Sequence, residues 1–550
     1  MRHSQLSPTI AEYFNRGVAR HPHENALAEI RNGELHWLTW TEVYNRAAAL
    51  AATQRVAGVE PGDRVAQVSE NRVEWIITDL ATHLAGAVHV PIHITLSAQQ
   101  VADQIRNSGA KIVFVSTHSL LATFADHLPH NITVRIHDDS PIAYQPPAEP
   151  GPDIIFPAPS PQPPVPTALA TLLYTSGTTG NPRGVMLSHA NLATNAAALA
   201  DLFAMNEQEV RLCVLPLSHI YARTCDLYTW LYRGTKLVLA ESRETLARDL
   251  QLVRPTALNA VPYVFQKIAE KIHDAGGDET GHLRNFLGGR VELLNCGGAP
   301  LPAGTEAWFK AHGQTLLMGY GLTETSPVIS ASTPHSRRPG SVGRILPGVE
   351  IRIADDGELL TRGPNLMLGY WRDDAATAEA FRDGWFHTGD LAALDNDGYL
   401  FIQGRKKELI VLSTGKKVAP THVESLLTSS PLIEQAAVFG DNHHGLVALI
   451  VPPPEVTPAG GLARPQDNTD QHGIYAAEIK HCLAAAAREE QIHAFAVLDG
   501  PFSIDRGELT AKLSLCRGVI SQNFAAELTR LISQPLQVET APEKSLGAAR

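Results

Sequence analysis

A chain of 550 residues with 44% hydrophobic side chains is longer than one hydrophobic core can serve, so more than one domain is expected. A formal charge of −12 and a pI near 6.0 exclude the basic face that a nucleic-acid binder presents to phosphates. The five cysteines (Cys213, Cys225, Cys296, Cys482 and Cys516) are odd in number, widely spaced and form no C-x-x-C pair, which argues against a disulfide framework or a zinc site and fits a reducing cytoplasm.

The N-terminal MRHSQLSPTIAEYF lacks an apolar signal region, and no later stretch approaches the roughly 20 apolar residues that span a bilayer. A soluble, cytoplasmic chain is expected, with peripheral attachment to the inner membrane face left open. Oligomeric state is not legible. SAQQVADQIRNSGA predicts a helix capped by Ser97, followed by the strand KIVFVS. This rhythm of parallel α/β structure recurs at PTALNAVP then YVFQKIAEKIHDA, at VELLNCG then PAGTEAWFKAHG, and at TLLMGY. Pro141 to Pro166 carries 11 of the 37 prolines without periodicity and reads as a surface connection.

That connection leads to ATLLY, read as a strand, then TSGTTGNPRGV, then SHANLATNAAALADLF, read as a helix capped by Ser188. From about Ser341 to Gln403, short alternating segments with Gly-Asp turns predict a small antiparallel β-subdomain. Mixed helices and strands resume after GRKKE, interrupted by a Pro/Gly/Asp loop from Pro452 to Gly473, which places the domain boundary at Arg405 to Lys407. The expected class is α/β. Residues 1–404 form a large region of parallel α/β subdomains plus the small antiparallel one, and residues 405–550 form a smaller mobile α+β C-terminal domain.

The stretch Thr175 to Val185 follows a strand, where open α/β sheets place ligands. Gly177 and Gly180 let backbone N–H groups approach a ligand, Thr175, Ser176, Thr178 and Thr179 add hydroxyl donors, and Arg183 adds fixed positive charge. That combination suits phosphate oxygens. A flexible strand-to-helix turn would read the same way in isolation. G-x-x-x-x-G-K-[ST] cannot be laid on it, so this is not a Walker A loop.

TSGTTGNPRGV resembles the signature of the adenylate-forming superfamily, which includes acyl-CoA synthetases, luciferases and the adenylation domains of peptide synthetases. YGLTE (Tyr320 to Glu324), HTGD (His387 to Asp390) and GRKKELIVLSTGKKVAP (Gly404 to Pro420) resemble its later motifs in the expected order, so the resemblance covers nearly the whole chain. LPLSHIYAR, GPNLMLGYW and GRKKELIV are most similar to bacterial long-chain fatty acyl-CoA synthetases. The resemblance implies ATP, Mg²⁺ and coenzyme A as cofactors and a fatty acid as substrate. A carboxylate attacks the α-phosphorus of ATP and expels pyrophosphate; a thiol then attacks the acyl-adenylate and expels AMP. Transfer to the phosphopantetheine of an acyl carrier protein is one alternative, and a catalytically degenerate nucleotide- or lipid-binding homologue is another.

Residue by residue, the resemblance gives Thr175, Ser176, Gly177, Thr178, Thr179, Gly180 and Arg183 to the ATP phosphates, Arg183 standing where lysine is more usual. Glu324 suits Mg²⁺ as a hard oxygen ligand and Thr323 can donate to the α-phosphate, although a capping Thr-Glu pair would look alike. Gly298, Ala299 and Pro300 within GGAPL resemble the segment whose backbone packs against adenine, although a turn at the end of a strand would look the same, and Tyr320 and Gly321 within YGLTE are further ATP-binding candidates. Asp390 and Arg405 resemble the ribose contacts; a turn aspartate and a solvated arginine are their plain alternatives. His219 lies in LPLSHIYAR, which resembles the segment flanking the acyl pocket and implies a role beside the carboxylate or in thiol entry, although a lone histidine is more often structural.

Lys407 falls on the family's hinge position, and Gly415, Lys416 and Lys417 resemble the loop that meets coenzyme A, or else form a basic hairpin tip. Ala222 stands where long-chain members carry Glu, which leaves Arg223 without that partner. Finally, aligning GELTAKLSLCR on the family's ELT puts Ser514 where the adenylation lysine belongs. Lys512, two residues earlier, is the expected catalytic cation if the segment is extended, where alternate residues share a face; on a helix the two positions would point apart, and a solvated surface lysine is the plain alternative.

Overall fold

The computed structural model describes residues 8–139, 164–175, 182–203, 208–430, 432–453, 468–503, 505–509 and 515–534. Contacts divide the chain into two units: residues 1–301, 305–388 and 392–402 form the first, and residues 302–304, 389–391 and 403–550 the second.

Among the described residues, the first unit is built on two large sheets. One has seven strands in the edge-to-edge order Gly369–Tyr370, Arg183–Ser188, Leu169–Thr175, Val88–Ile92, Arg64–Val68, Ile112–Val115 and Thr133–Ile136. The other has nine, in the order Arg344–Ile345, Val328–Ala331, Leu316–Gly321, Leu293–Cys296, Ala257–Ala260, Val210–Cys213, Lys236–Leu239, Asn25–Arg31 and Glu34–Thr39. Parallel pairs with crossover helices dominate both interiors, as the alternating rhythm predicts. The helix Ala98–Ser108 begins at Ser97, whose hydroxyl accepts from the Gln100 N–H while the Gln100 side chain accepts from the Ser97 N–H. Such a cap stabilises a helix by about 1 kcal/mol.

Between the sheets the core closes around large aromatics. Trp40 and Trp230 stack with centroids 4.6 Å apart, and Phe14, Trp75 and Tyr228 are fully buried around them. The strands Glu350–Ile353, Glu358–Arg362, Phe381–Arg382, Trp385–Leu394 and Leu400–Arg405 make the expected antiparallel sheet. The second unit holds the short hairpin Ile410–Val411/Lys417–Val418 and the three-stranded sheet Gln435–Phe439, Leu446–Val451 and Ile492–Val497, whose apolar face Val423, Leu427, Tyr475 and Ile479 help to cover.

Two local expectations need correction. The motif at Thr175 does not run from strand to helix: Arg183–Ser188 is itself a strand, paired antiparallel with Leu169–Thr175, and the helix His189–Leu202 starts after it at Ser188. RGVMLS is too short for its alternation to stand out beside the glycine-rich run. The loop placed at Pro452 to Gly473 is cut short by a helix, Asn468–Cys482, because the polar NTDQHG is its first turn and a half. The proline-rich stretch Pro141 to Pro163 lies outside the described residues.

A buried polar cluster lies on the nine-stranded sheet. Cys213, Asn259 and Asn295 share one register row, and Asn295 donates to Asn259 (2.8 Å), which donates to Asp226 Oδ1 (2.6 Å). Arg211 lies 3.6 Å from the same oxygen. Burial pushes the Asp226 carboxyl up to about 7, against the lowering effect of Arg211. Between the ordinary carboxylate range and about pH 7 the native state therefore holds a proton that the unfolded chain releases, and stability falls as pH rises through that window. Asp226→Asn is expected to flatten this component, seen as a wild-type minus variant difference in urea stability that changes by up to about 1.4 kcal/mol per pH unit across it. A difference that does not vary with pH would contradict the assignment.

Candidate active site

The phosphate-loop strands carry the first half of the site. Thr175 and Arg183 stand opposite each other where the pair Leu169–Thr175/Arg183–Ser188 opens toward the connecting loop, whose Ser176 to Gly180 lie outside the described residues. The GPNLMLGYW segment runs along the outer strand. Gly369 and Tyr370 pair with Met186 and Val185, and the Trp371 N–H donates to the Gly184 carbonyl at 2.7 Å. A side chain on Gly184 would collide with Leu172 and the Trp371 Cβ, so the close approach requires glycine there.

This segment delivers a tyrosine that neither composition nor spacing singled out. The Tyr370 hydroxyl donates to Glu324 Oε1 at 2.9 Å, while the Arg183 guanidinium lies over the same ring, 5.4 Å from its centroid. Burial and then the Glu324 carboxylate push the Tyr370 phenol up, so it remains a donor. Glu324 and the buried Thr323 lie in a single 3₁₀ turn, Thr323–Thr325, and the Met367 N–H donates to the Glu324 carbonyl at 2.8 Å. A fixed cation and a hard carboxylate oxygen thus meet on one aromatic ring.

Those residues fit a phosphate-borne Mg²⁺. Among the described residues no group of three or more His, Cys, Asp or Glu side chains could hold a metal by itself. Mg²⁺ needs no such cage, since it keeps several waters and takes one or two carboxylates plus substrate phosphates. Glu324 would supply the carboxylate.

The strand Leu293–Cys296 ends in Gly297, Gly298, Ala299 and Pro300, beside Tyr320 and Gly321 at the end of Leu316–Gly321. Gly298 has a φ of +85°, which favours glycine. The Tyr221 ring lies against Gly297: a Cβ there would sit 3.3 Å from Tyr221 Cζ and 3.4 Å from the Gly319 carbonyl. His219 caps the turn Ile220–Ala222, its Nδ1 accepting from the Tyr221 N–H at 3.2 Å. The histidine is therefore fixed through Tyr221 to the glycine segment that sequence matching assigns to the nucleotide. Arg223 has a partner after all: it is fully buried and ion-paired with Asp79, so Ala222 leaves no gap. Asp79 lies 144 positions earlier, on the helix Val73–Leu84, where no local pattern could reveal it.

In the second unit, Arg405 Nε lies 2.8 Å from Asp390 Oδ1, which brings together the two residues matched to the ribose. Lys407 is exposed in the 3₁₀ turn Lys406–Glu408. Gly415, with φ of +78°, sits in the turn between Ile410–Val411 and Lys417–Val418, so the basic loop is indeed a hairpin tip. Lys416 lies 3.5 Å from Glu489 and Lys417 is exposed. Lys512 and Ser514 lie outside the described residues, between Leu509 and Leu515, which pair as an antiparallel bridge.

A family model described as AMP-binding enzyme matches residues 14–371, and one described as AMP-binding enzyme C-terminal domain matches residues 407–534. The chain belongs to the AMP-binding enzyme family. It is 34% identical to the long-chain-fatty-acid–CoA ligase FadD15 of Mycobacterium bovis, with 90% of this chain and 92% of that protein covered. It is 33% identical to a feruloyl-CoA synthase of an Amycolatopsis species, with 78% and 86% covered. Among solved structures, ATP-bound MatB from Rhodopseudomonas palustris matches with a TM-score of 0.76 at 26% identity, covering 94% of this chain and 99% of that one. The fold class read from the sequence agrees with these relatives. No helix among the described residues is long and apolar enough to cross a membrane.

Proposed function

We propose that this member of the family activates a long-chain fatty acid with ATP and transfers the acyl group to coenzyme A, releasing pyrophosphate and AMP. The observation that carries the proposal is the meeting of Arg183 and Glu324 on Tyr370, beside Thr175, in a chain one-third identical to a long-chain-fatty-acid–CoA ligase over nine-tenths of its length. Adenylation crowds anions together. Two unit charges about 4 Å apart repel by roughly 4 kcal/mol at an effective dielectric near 20, nearly three decades in rate. Bound Mg²⁺ offsets part of that charge on the phosphates.

The chain's own residues divide the rest. Arg183, with Thr175 and the loop from Ser176 to Gly180, receives the β- and γ-phosphates, and stacking on Tyr370 keeps the guanidinium oriented. Thr323 donates to the α-phosphate. Gly298 to Pro300, with Tyr320 and Gly321, form the adenine wall, while Asp390 accepts from the ribose hydroxyls with Arg405 beside it. His219 lies on the acid side. Lys512 supplies the cation at the reacting carboxylate and α-phosphate. The segment of Gly415, Lys416 and Lys417 receives the phosphates of coenzyme A.

Residues 1–404 then act as the adenylation domain, and residues 405–550 reorient about Lys407 between the half-reactions. The exposure of Lys407 and the start of the second family match at residue 407 support that hinge. Lys407→Pro is expected to spare ATP–pyrophosphate exchange and cut thioester formation about tenfold or more, because a fixed φ restricts the change of orientation. Equal losses in both half-reactions would remove Lys407 from the hinge.

The function itself is tested by ATP–pyrophosphate exchange over a panel of saturated, unsaturated and aromatic acids, followed by product analysis with coenzyme A or an acyl carrier protein. Exchange with long-chain acids and a coenzyme A thioester product are expected. Loading of carrier protein alone, or preference for an aromatic acid, would overturn the assignment of acceptor or substrate respectively.

A further inference from the structure

One buried ion pair among the described residues of the first unit lies outside the residues matched to the nucleotide or the acid. Arg223 and Asp79 are both 0% exposed. One end of the guanidinium pairs with Asp79 Oδ1, and Nη1 donates to the Thr171 hydroxyl at 2.6 Å. That hydroxyl in turn donates to the His89 carbonyl at 2.7 Å. Asp79 is held from three further sides: by His89 Nδ1 at 2.9 Å, by His83 Nε2 at 3.3 Å, and by the Tyr228 hydroxyl, which donates to Oδ2 at 3.1 Å. Burial works against the charged form, yet Arg223 and His83 keep the Asp79 carboxyl well below the usual range, so the ion pair stays charged. The guanidinium also lies 5.7 Å from the Trp75 ring centroid and 5.5 Å from that of Tyr228, which leaves it little rotational freedom.

Arg223 joins two parts of the site, one through its guanidinium and the other through its backbone. Thr171 lies on the strand Leu169–Thr175, four residues before the threonine that opens the phosphate loop. Arg223 is itself the first residue of a π-helical stretch, Arg223–Tyr228, and its N–H donates to the His219 carbonyl at 3.1 Å. Single π turns occur where a helix must place a side chain off the regular pitch, frequently at functional sites. One buried residue thereby links the turn of His219, through its backbone N–H, to the strand that feeds the phosphate loop, through its side chain. A planar fork with fixed geometry can hold such a spacing; a point charge on a flexible stem cannot.

We infer that Arg223, anchored by Asp79, is a positioning residue for adenylation: through Thr171 it fixes the strand of the phosphate loop against the turn that carries His219, and so sets how the acid carboxylate meets the α-phosphate. The inference rests on the adenylation reading above. It concerns alignment of two separate reactants, so it bears on the first half-reaction alone. Once acid and AMP are joined in one molecule, no such alignment is needed. Misplacement of reacting groups by about 1 Å can cost around a hundredfold in rate.

The test compares Arg223→Lys, Thr171→Val and Thr171→Ser with wild type in three measurements. These are acid-dependent ATP–pyrophosphate exchange, reaction of supplied acyl-adenylate with coenzyme A, and Tm. Arg223→Lys keeps a charge beside Asp79 but loses the fork, and Thr171→Val removes the hydroxyl that receives it. Both are expected to lower kcat for exchange at least tenfold, with KM for ATP and acid changed less than threefold and the coenzyme A reaction of supplied acyl-adenylate retained. Thr171→Ser keeps the hydroxyl and keeps exchange. Should Arg223→Lys fail to fold, the Thr171 pair decides. Equal losses in both half-reactions, tracking Tm, would show a merely structural ion pair and overturn the inference, as would unchanged exchange in Thr171→Val. A wild type with no exchange on any acid would instead overturn the adenylation reading, and this role with it.

Discussion

Glu324→Gln is expected to lower ATP–pyrophosphate exchange roughly a hundredfold or more at limiting Mg²⁺, the scale seen when one preorganised electrostatic partner is removed from a transition state. The substitution keeps the volume, and the Gln carbonyl oxygen can still accept from the Tyr370 hydroxyl that now reaches Oε1 at 2.9 Å. The Met367 N–H bond to the residue 324 carbonyl is a backbone contact and is untouched. Tm should therefore change little while the charge available to the metal disappears. Raising Mg²⁺ should recover part of the rate, because the variant holds the metal more weakly and a higher concentration restores its occupancy. Unaltered exchange at limiting Mg²⁺ would remove Glu324 from the metal site.

Lys512→Ala is expected to abolish exchange, with a loss near three decades if one cation at the α-phosphate is worth roughly 4 kcal/mol. The described residues on either side are firmly held. Leu509 and Leu515 bridge, the buried Glu508 accepts from Asn523 Nδ2 at 3.0 Å, and Arg517 makes a two-pronged ion pair with Glu424, at 2.7 Å through Nη2. Ser514→Lys on the Lys512→Ala background should restore part of the activity, because the two positions lie about 6.6 Å apart in an extended chain and a lysine stem covers much of that distance. Full exchange in Lys512→Ala would refute the assignment. An inactive wild type that gained exchange from Ser514→Lys alone would identify a degenerate homologue.

Local chemistry was legible in the sequence wherever a residue's partners lie close along the chain. The Ser97 and Ser188 caps, the strands ahead of the glycine motifs and the short turn of Thr323 and Glu324 all follow from periodicity, capping and turn chemistry. Long-range pairings were not legible. Tyr370 meets Glu324 from 46 positions away, and Asp79 meets Arg223 from 144, so neither leaves a spacing to read. Ala222 illustrates the consequence: judged by its neighbours, Arg223 loses a partner, whereas the fold supplies one from a distant helix. The extra strand Arg183–Ser188 escaped for a different reason. Its pairing with Leu169–Thr175 puts Gly184 opposite Tyr174, where alternation of side chains says little.

The ring of Tyr370 also stands between two opposite charges. Arg183 and Glu324 carry opposite charges and touch the same side chain, yet the ion pairs found among the described residues do not join them to each other; the nearest carboxylate to Arg183 is Asp373, at 3.9 Å. Had they paired, incoming triphosphate would first have to break that bond, and even an exposed pair worth about 1 kcal/mol would weaken binding about fivefold. The tyrosine is a neutral contact shared by both charges, a stack for the cation and one hydrogen bond for the anion. Under the proposed function, the charges assigned to the triphosphate and its metal are thus not neutralised by each other.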